Sequence, residues 1–302
     1  MPRPQTAICA ESSPFALFLT LRVGRGAAAA EKVRKAAAAL PAMAAVGEAD
    51  GQVSAVGFGA AVWERLFGAA RPAELEPFRA LRDGRRVAPA TPADVFVHIH
   101  SSSHDANFML ARRLTEECAG AARVVEEVHG FRHDGGRDLT GFVDGTENPK
   151  GRERKAVALV GAEDGAFAGG SYVSVQRWVH DLARWRAVAV AEQEKVIGRT
   201  KAGDVELADD VKPPTAHIAR VVIEEDGREL EILRHSMPYG TTAEAGLYFV
   251  AYARSAHPFR RMLENMVVKD GAGHYDHLMR YTRPVSGASF FCPSLEFLRA
   301  AV

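Results

Sequence analysis

Asp94-Val95-Phe96-Val97-His98-Ile99-His100, followed at once by Ser101-Ser102-Ser103, is the stretch from which the fold is read. Val95, Val97 and Ile99 fall on alternate positions, the period of a half-buried strand. Ser103 to Cys118 then reads as a helix, because a serine at its start can accept from backbone N–H groups that the first turn leaves unpaired. Ala121 to Phe131 is the next strand candidate. On the N-terminal side, Phe15 to Val23 and Gln52 to Gly59 read as strands. Gly26 to Ala45, rich in good helix formers, and the short Ala60 to Phe67 read as helices. The Pro- and Arg-rich piece Arg71 to Pro92 reads as loop. The order β-α-β-(α)-β-α-β is the ferredoxin-like pattern.

A comparable order recurs further on. Ser171 to Val179 is strand-like and Ala183 to Gly198 helical. Val221 to Glu225 and Glu229 to His235 flank Asp226-Gly227, a hairpin signal. Gly246 to Ala253 reads as a strand, Pro258 to Val267 as a helix with proline in its first turn, and Ser289 to Cys292 as a last strand. The expectation is an α+β chain of two halves with antiparallel sheets, residues 1–140 and 141–302.

With 38 basic and 38 acidic residues among 302, the chain has no net field to attract nucleic acid or an anionic membrane, so neither partner is expected. The longest alanine-rich stretch, Ala27 to Ala45, is broken by Glu31, Lys32, Arg34, Lys35 and Pro41 and cannot span a bilayer. Cys9, Cys118 and Cys292 stand in no paired spacing, which fits a reducing, cytoplasmic setting and argues against thiolate–metal ligation.

Gly141-Phe142-Val143-Asp144-Gly145-Thr146-Glu147-Asn148-Pro149 cannot continue a helix or a central strand. It can hold the Asp144 carboxylate in a cavity, and it equally suits an ordinary Asp-Gly turn. His98 and His100 share a strand face at a spacing that could bind metal, but no third ligand at fixed spacing joins them. His217 follows Pro213-Pro214-Thr215-Ala216, a constrained turn that delivers it to the edge of a buried element. Arg234 ends the apolar run Leu230 to Leu233. An arginine there should face a carboxylate, an anionic ligand or solvent, and an edge-strand arginine with its head in water fits equally.

Several motifs, in order, resemble the dye-decolourising peroxidase family, most closely its short bacterial branch. They are Gly141 to Pro149, Gly170-Ser171-Tyr172 to His180-Asp181-Leu182, Ile197-Gly198-Arg199-Thr200-Lys201, His217-Ile218-Ala219-Arg220, Arg234 to Gly240, and Arg261 to Met266. The resemblance covers nearly the whole chain. It implies two ferredoxin-like halves of the dimeric α+β barrel type, with one haem b per chain held mainly by the second half. His217 is then the axial ligand, with Asp144 and Arg234 on the distal face where hydrogen peroxide binds and Ser236 near them. Arg199 and Lys201 could pair with the haem propionates. Asp276 matches an acid behind the axial histidine, although Lys269-Asp270-Gly271-Ala272-Gly273 replaces the family's Pro-Pro-Gly-like run before it. The implied activity is reduction of peroxide through a ferryl intermediate, with small phenolic or dye-like aromatic molecules as donors. A haem-handling, deferrochelatase-like protein is the alternative. A homo-oligomer, dimer or larger, is implied, and the ending at Val302 gives the expectation of no shell-cargo role.

Overall fold

The computed structural model describes residues 2–46, 51–68 and 70–302. Eight strands form its frame: β1 Phe15–Val23, β2 Val53–Phe58, β3 Val95–Ser101, β4 Ala122–Phe131, β5 Ser171–His180, β6 Met237–Gly240, β7 Ala245–Ala253 and β8 Ala288–Cys292. All their pairings are antiparallel, in the order β4-β1-β3-β2-β8-β5-β7-β6, and β6 pairs back onto β4. The sheet therefore closes into an eight-stranded barrel, which removes free strand edges within the ring. The fold is α+β. Thr282–Pro284 adds a short outer strand to β5.

The segment before β6 decides which way Arg234 points. Leu233–Arg234 pairs with β7 in the same register as β6, since Leu233 faces Tyr252 and Met237 faces Tyr248. His235 N–H donates to Val250 O at 2.9 Å and keeps the alignment between them. Side chains alternate along such a strand. Leu233, His235, Met237 and Tyr239 thus join the buried interior, while Arg234 is turned the other way.

The barrel interior is packed with rings. Phe18 stacks on Tyr248 at 4.4 Å and on His98 at 5.0 Å, and Phe96 stacks on Phe290 at 5.5 Å. Outside, the helices Ala27–Ala45 and His104–Glu117 cover β1 and β3 through Val33, Leu40, Leu110 and Leu114 against Leu17, Leu19, Val97 and Ile99. The strand Val95–Ser101 is consequently buried on both faces rather than one. Its alternate residues Phe96, His98 and His100 fill the barrel. Ser103 caps the following helix as its type suggests, accepting from Ala106 N–H.

Four local expectations are corrected. The piece Arg71 to Pro92 contains a hairpin, Leu81–Asp83 with Arg86–Ala88. The stretch Ala183 to Gly198 splits into helices Leu182–Arg186 and Val190–Ile197. The hairpin around Asp226-Gly227 is real but short, Glu224–Glu225 with Arg228–Glu229, and both turn residues have positive φ (52° and 73°). Val221 instead ends the helix His217–Val221, because the apolar run there packs as a helix beside Asn265 and Asp270 through Arg220. A final helix, Leu295–Ala300, follows β8 and carries no strong sequence signal.

Candidate active site

The outward-facing side chains of β5 and β7 form the floor of a cavity of about 1520 Å³, its open mouth included. Gln176 and Trp178 come from β5, Leu247 and Phe249 from β7, and the helix His257–Val267 roofs them with Phe259 and Leu263. A broad, mainly apolar slot of this kind suits a large planar cofactor.

His217 enters the cavity at the start of its five-residue helix. The helix is placed by a close approach, since a Cβ on Gly198 (φ +97°) would come within 2.5 Å of Ile218. Arg220, buried, locks the far end of that helix by donating to Asn265 O at 3.1 Å and to Asp270 Oδ2 at 2.9 Å. His217 Nδ1 lies 2.6 Å from Asp276 Oδ2. Asp276 is completely buried, and its other oxygen accepts from Leu278 N–H at 2.8 Å, so the carboxylate cannot swing away. The bond fixes the ring and leaves Nε2 as the nitrogen available to a metal. The changed Lys269–Gly273 loop does not disturb this arrangement, because Asp270 folds the loop onto itself by accepting from Ala272 and His274 N–H, both at 2.9 Å.

Asp144 and Arg234 line the same cavity and form an ion pair, Asp144 Oδ1 to Arg234 Nη1 at 3.1 Å. The loop that carries Asp144 is pinned to the strand that carries Arg234. Asn148 Nδ2 donates to Arg234 O at 2.8 Å, and Arg234 N–H donates back to Asn148 Oδ1 at 2.9 Å. Gly145 (φ +84°) supplies the turn between them. The amide and glycine that rule out regular structure in the sequence therefore hold the pair in register.

Arg199 also reaches the wall, held by Asp204 Oδ1 at 2.9 Å and Glu147 Oε1 at 2.7 Å. Lys201 does not. Its ammonium donates to Gln193 Oε1 at 2.7 Å and lies 5.5 Å from the centre of the Phe142 ring. Ser236 does not line the cavity either, and its hydroxyl is buried with no hydrogen-bond partner among the described residues.

A further polar pair in the wall has no linear signature. His180 Nε2 lies 3.2 Å from Asp138 Oδ1, and His180 Nδ1 lies 2.8 Å from Thr282 Oγ1. Burial pushes the Asp138 carboxyl up. The bonds from His180, and from Thr140 through its hydroxyl and N–H, outweigh that and hold it below the usual carboxylate range. Asp138 and His180 stand 42 residues apart, and only the fold joins them. At the mouth, burial and then the charges of Glu231, Glu147 and Glu224 raise the pKa of Glu229.

The donor set fits haem. A carboxylate-tied imidazole is a sound iron ligand, and a carboxylate beside a fixed guanidinium is suited to a polar oxygen substrate.

Comparison with known proteins points to one family. The family models for the N-terminal and C-terminal parts of Dyp-type peroxidases match residues 5–132 and 135–297. A dye-decolorizing peroxidase of Mycolicibacterium paratuberculosis is 45% identical, over 98% of this chain and 84% of that protein. The encapsulated DyP-type peroxidase of Mycobacterium smegmatis, solved by cryo-EM, superposes with a TM-score of 0.94 at 42% identity, covering 99% of this chain and 98% of that one. A Rhodococcus jostii RHA1 DypB variant solved in complex with haem gives a TM-score of 0.94 at 38% identity, covering 98% of each chain. With both family models matched along nearly its whole length, the chain belongs to the Dyp-type peroxidases and is a haem-dependent peroxidase.

Proposed function

We propose that the protein reduces hydrogen peroxide with one haem b per chain, which His217 would hold through its free imidazole nitrogen, and oxidises small phenolic or dye-like donors. When bound, the haem supplies the iron and the oxidising equivalents. The residues supply the rest. Asp276 holds the His217 ring and makes it a stronger electron donor. Asp144 takes a proton from one peroxide oxygen and delivers one to the other, work worth roughly 10²–10⁴ in rate for a well-placed group. Arg234 stabilises the negative charge that builds as the O–O bond breaks, and loss of such a donor costs on the order of 10²–10³. Arg234 is the heavier contributor, since its charge is fixed at every working pH. Ser236, outside the cavity lining, takes no direct part in the proton transfer, and Arg199 is the better placed of the two candidate propionate partners.

The observation that carries this reading is the Asp144–Arg234 ion pair in the cavity that His217 and Asp276 serve. Haem storage or transfer requires no such pair. The test is stopped-flow absorbance of the haem-loaded protein with peroxide. Arg234→Ala should slow the first spectral change about 10²–10³-fold, with Asp144→Ala slowing it less. A wild type that holds haem yet shows no rapid change gives the haem-handling reading the lead.

Each half, 1–140 and 141–302, is read as ferredoxin-like, supported by the neighbour order β4-β1-β3-β2 in the first and β6-β7-β5-β8 in the second. The three free cysteines support a cytoplasmic home. Among the described residues no helix is long and apolar enough to cross a membrane. The proposed assembly is a free homo-oligomer. Enclosure like that of the Mycobacterium smegmatis relative is the alternative, and a density gradient after co-expression with a shell protein separates the two.

A further inference from the structure

A second cavity, about 870 Å³ with its mouth included, opens on the same outer face of β5. The helix His257–Val267 divides it from the first, and Phe259 and Leu263 line both. Its lining is polar in two places: Tyr172 Oη, which accepts from Glu74 N–H at 3.0 Å, and a pair of serines on the floor. Ser174 of β5 and Ser289 of β8 are cross-strand partners, so their hydroxyls stand side by side. Ser289 makes no side-chain hydrogen bond with the described residues. Ser174, 1% exposed, sits at the end of a chain: Trp178 Nε1–H donates to Gln176 Oε1 at 3.2 Å, and Gln176 Nε2–H donates to Ser174 Oγ at 3.1 Å. Ser174 is thus an acceptor already in use, with its own proton free to donate into the cavity.

The walls are apolar, with Phe78 and Leu81 from the hairpin side and Phe259 and Leu263 from the helix. The charges at the rim are paired with one another. Arg79 meets Glu76 at 2.9 Å, Arg260 lies 3.6 Å from Glu74, and Glu264 meets Arg261 at 2.7 Å. Among the described residues no charge in this lining is left unpaired to select an ion. An apolar slot with two adjacent hydroxyls on its floor is complementary to one aromatic ring that carries a neutral oxygen.

We propose that this second cavity binds small neutral phenols, with the ring beside Phe78 and Phe259 and the phenolic oxygen on the Ser174–Ser289 pair. Naming phenols as the occupants rests on the donor class proposed above. The site itself rests on the cavity. It places such a molecule one side-chain layer from the peroxidase cavity without obstructing the Asp144–Arg234 pair.

The test is equilibrium dialysis of 2-methoxyphenol against the haem-loaded protein with no peroxide present, so that binding is read without turnover. Wild type should bind saturably, and cyanide added to occupy the iron should leave binding unchanged. Ser174→Ala should weaken binding about five-fold, the effect of one hydrogen bond, and Ser289→Phe should abolish it by filling the floor. If Ser289→Phe fails to fold, the milder Ser174→Ala decides. Absence of saturable binding, displacement by cyanide, or unchanged binding in Ser174→Ala overturns the second site. Those results leave the peroxidase reading standing, because that reading is decided by the peroxide reaction in stopped flow. Normal phenol binding by a protein that does not react with peroxide overturns the proposed donor role and keeps the cavity.

Discussion

Histidine is used in two opposite ways on the two sides of the barrel wall. Inside, His98, His100 and His235 stand in a triangle with ring centres 4.8, 5.6 and 5.6 Å apart. Their partners are uncharged: Tyr252 OH at 3.0 Å, Ser13 Oγ at 2.8 Å and Ile8 O at 3.0 Å. Burial, followed by the charges of their neighbours, pushes all three down, His98 well below its ordinary range, His100 to about 4 and His235 to about 3. Outside, His217 has a buried carboxylate at 2.6 Å. An imidazole in an apolar ring stack is a neutral packing unit. The same imidazole tied to an acid and opened to a cavity is suited to be a ligand. The partner, not the residue type, assigns the role. The spacing of His98 and His100 admits a metal site, yet among the described residues no group of three or more His, Cys, Asp or Glu is arranged to hold one.

The largest expected effect comes from removing the outer histidine. His217→Ala should lose normal haem retention, seen as a collapsed Soret-to-protein absorbance ratio after gel filtration, while His100→Gln keeps it. Equal loss in both would erase the contrast. Next is the acid behind it. Asp276→Asn keeps a hydrogen-bond acceptor but no charge, and should weaken haem affinity or activity about 10–100-fold, the usual cost of losing such an outer partner. A change below about two-fold would show that the carboxylate merely fills space.

Acid stability sharpens the other side of the comparison. The folded pKa values of His100 and His235 lie below the unfolded value of 6.5, so the native state binds fewer protons. Above about pH 6.5 these groups add no pH dependence. As the pH falls from there toward about 4 and 3, the unfolded chain protonates first and stability is lost, on the order of a few kcal/mol for each group when fully expressed. Urea midpoints for wild type should therefore drop between pH 7 and pH 5, and His100→Gln should make the drop shallower. A wild-type midpoint that does not move would show that these rings are not held neutral. The smallest effect is expected at Lys201, whose ammonium is occupied by Gln193. Lys201→Ala should change haem content by less than about two-fold, against a larger loss for Arg199→Ala, both read by the same Soret ratio.

Long elements were legible because their patterns are local. The alternation of β3, the serine cap of its following helix and the proline at the start of His257–Val267 needed no partner to be read. The second buried face of β3 was not legible, because two histidines inside a closed barrel look like polar residues on a solvated face. The short pieces failed for a related reason. Leu81–Asp83, Thr282–Pro284 and Leu295–Ala300 are three to six residues long and gain their order from what they pack on. At the site, single residues such as Asp144 and His217 were weak until their motifs were taken together. Pairs made by the fold, Asp138 with His180 above all, had no linear signature.

The closure of the barrel has a consequence for how the molecule comes apart. The four strands before residue 132 meet the four after residue 170 at two seams, and each seam has a single register pair, Phe291 with Phe58 and Tyr239 with Gly130. Within each set the ladders run to as many as nine pairs. What welds the sets is instead the ring stack inside, where Phe18 lies on Tyr248 and Phe96 on Phe290 across the divide. Parting the seams breaks few backbone bonds but floods the whole interior. Both sets line that interior and neither keeps it dry alone, so the barrel should melt as one calorimetric unit.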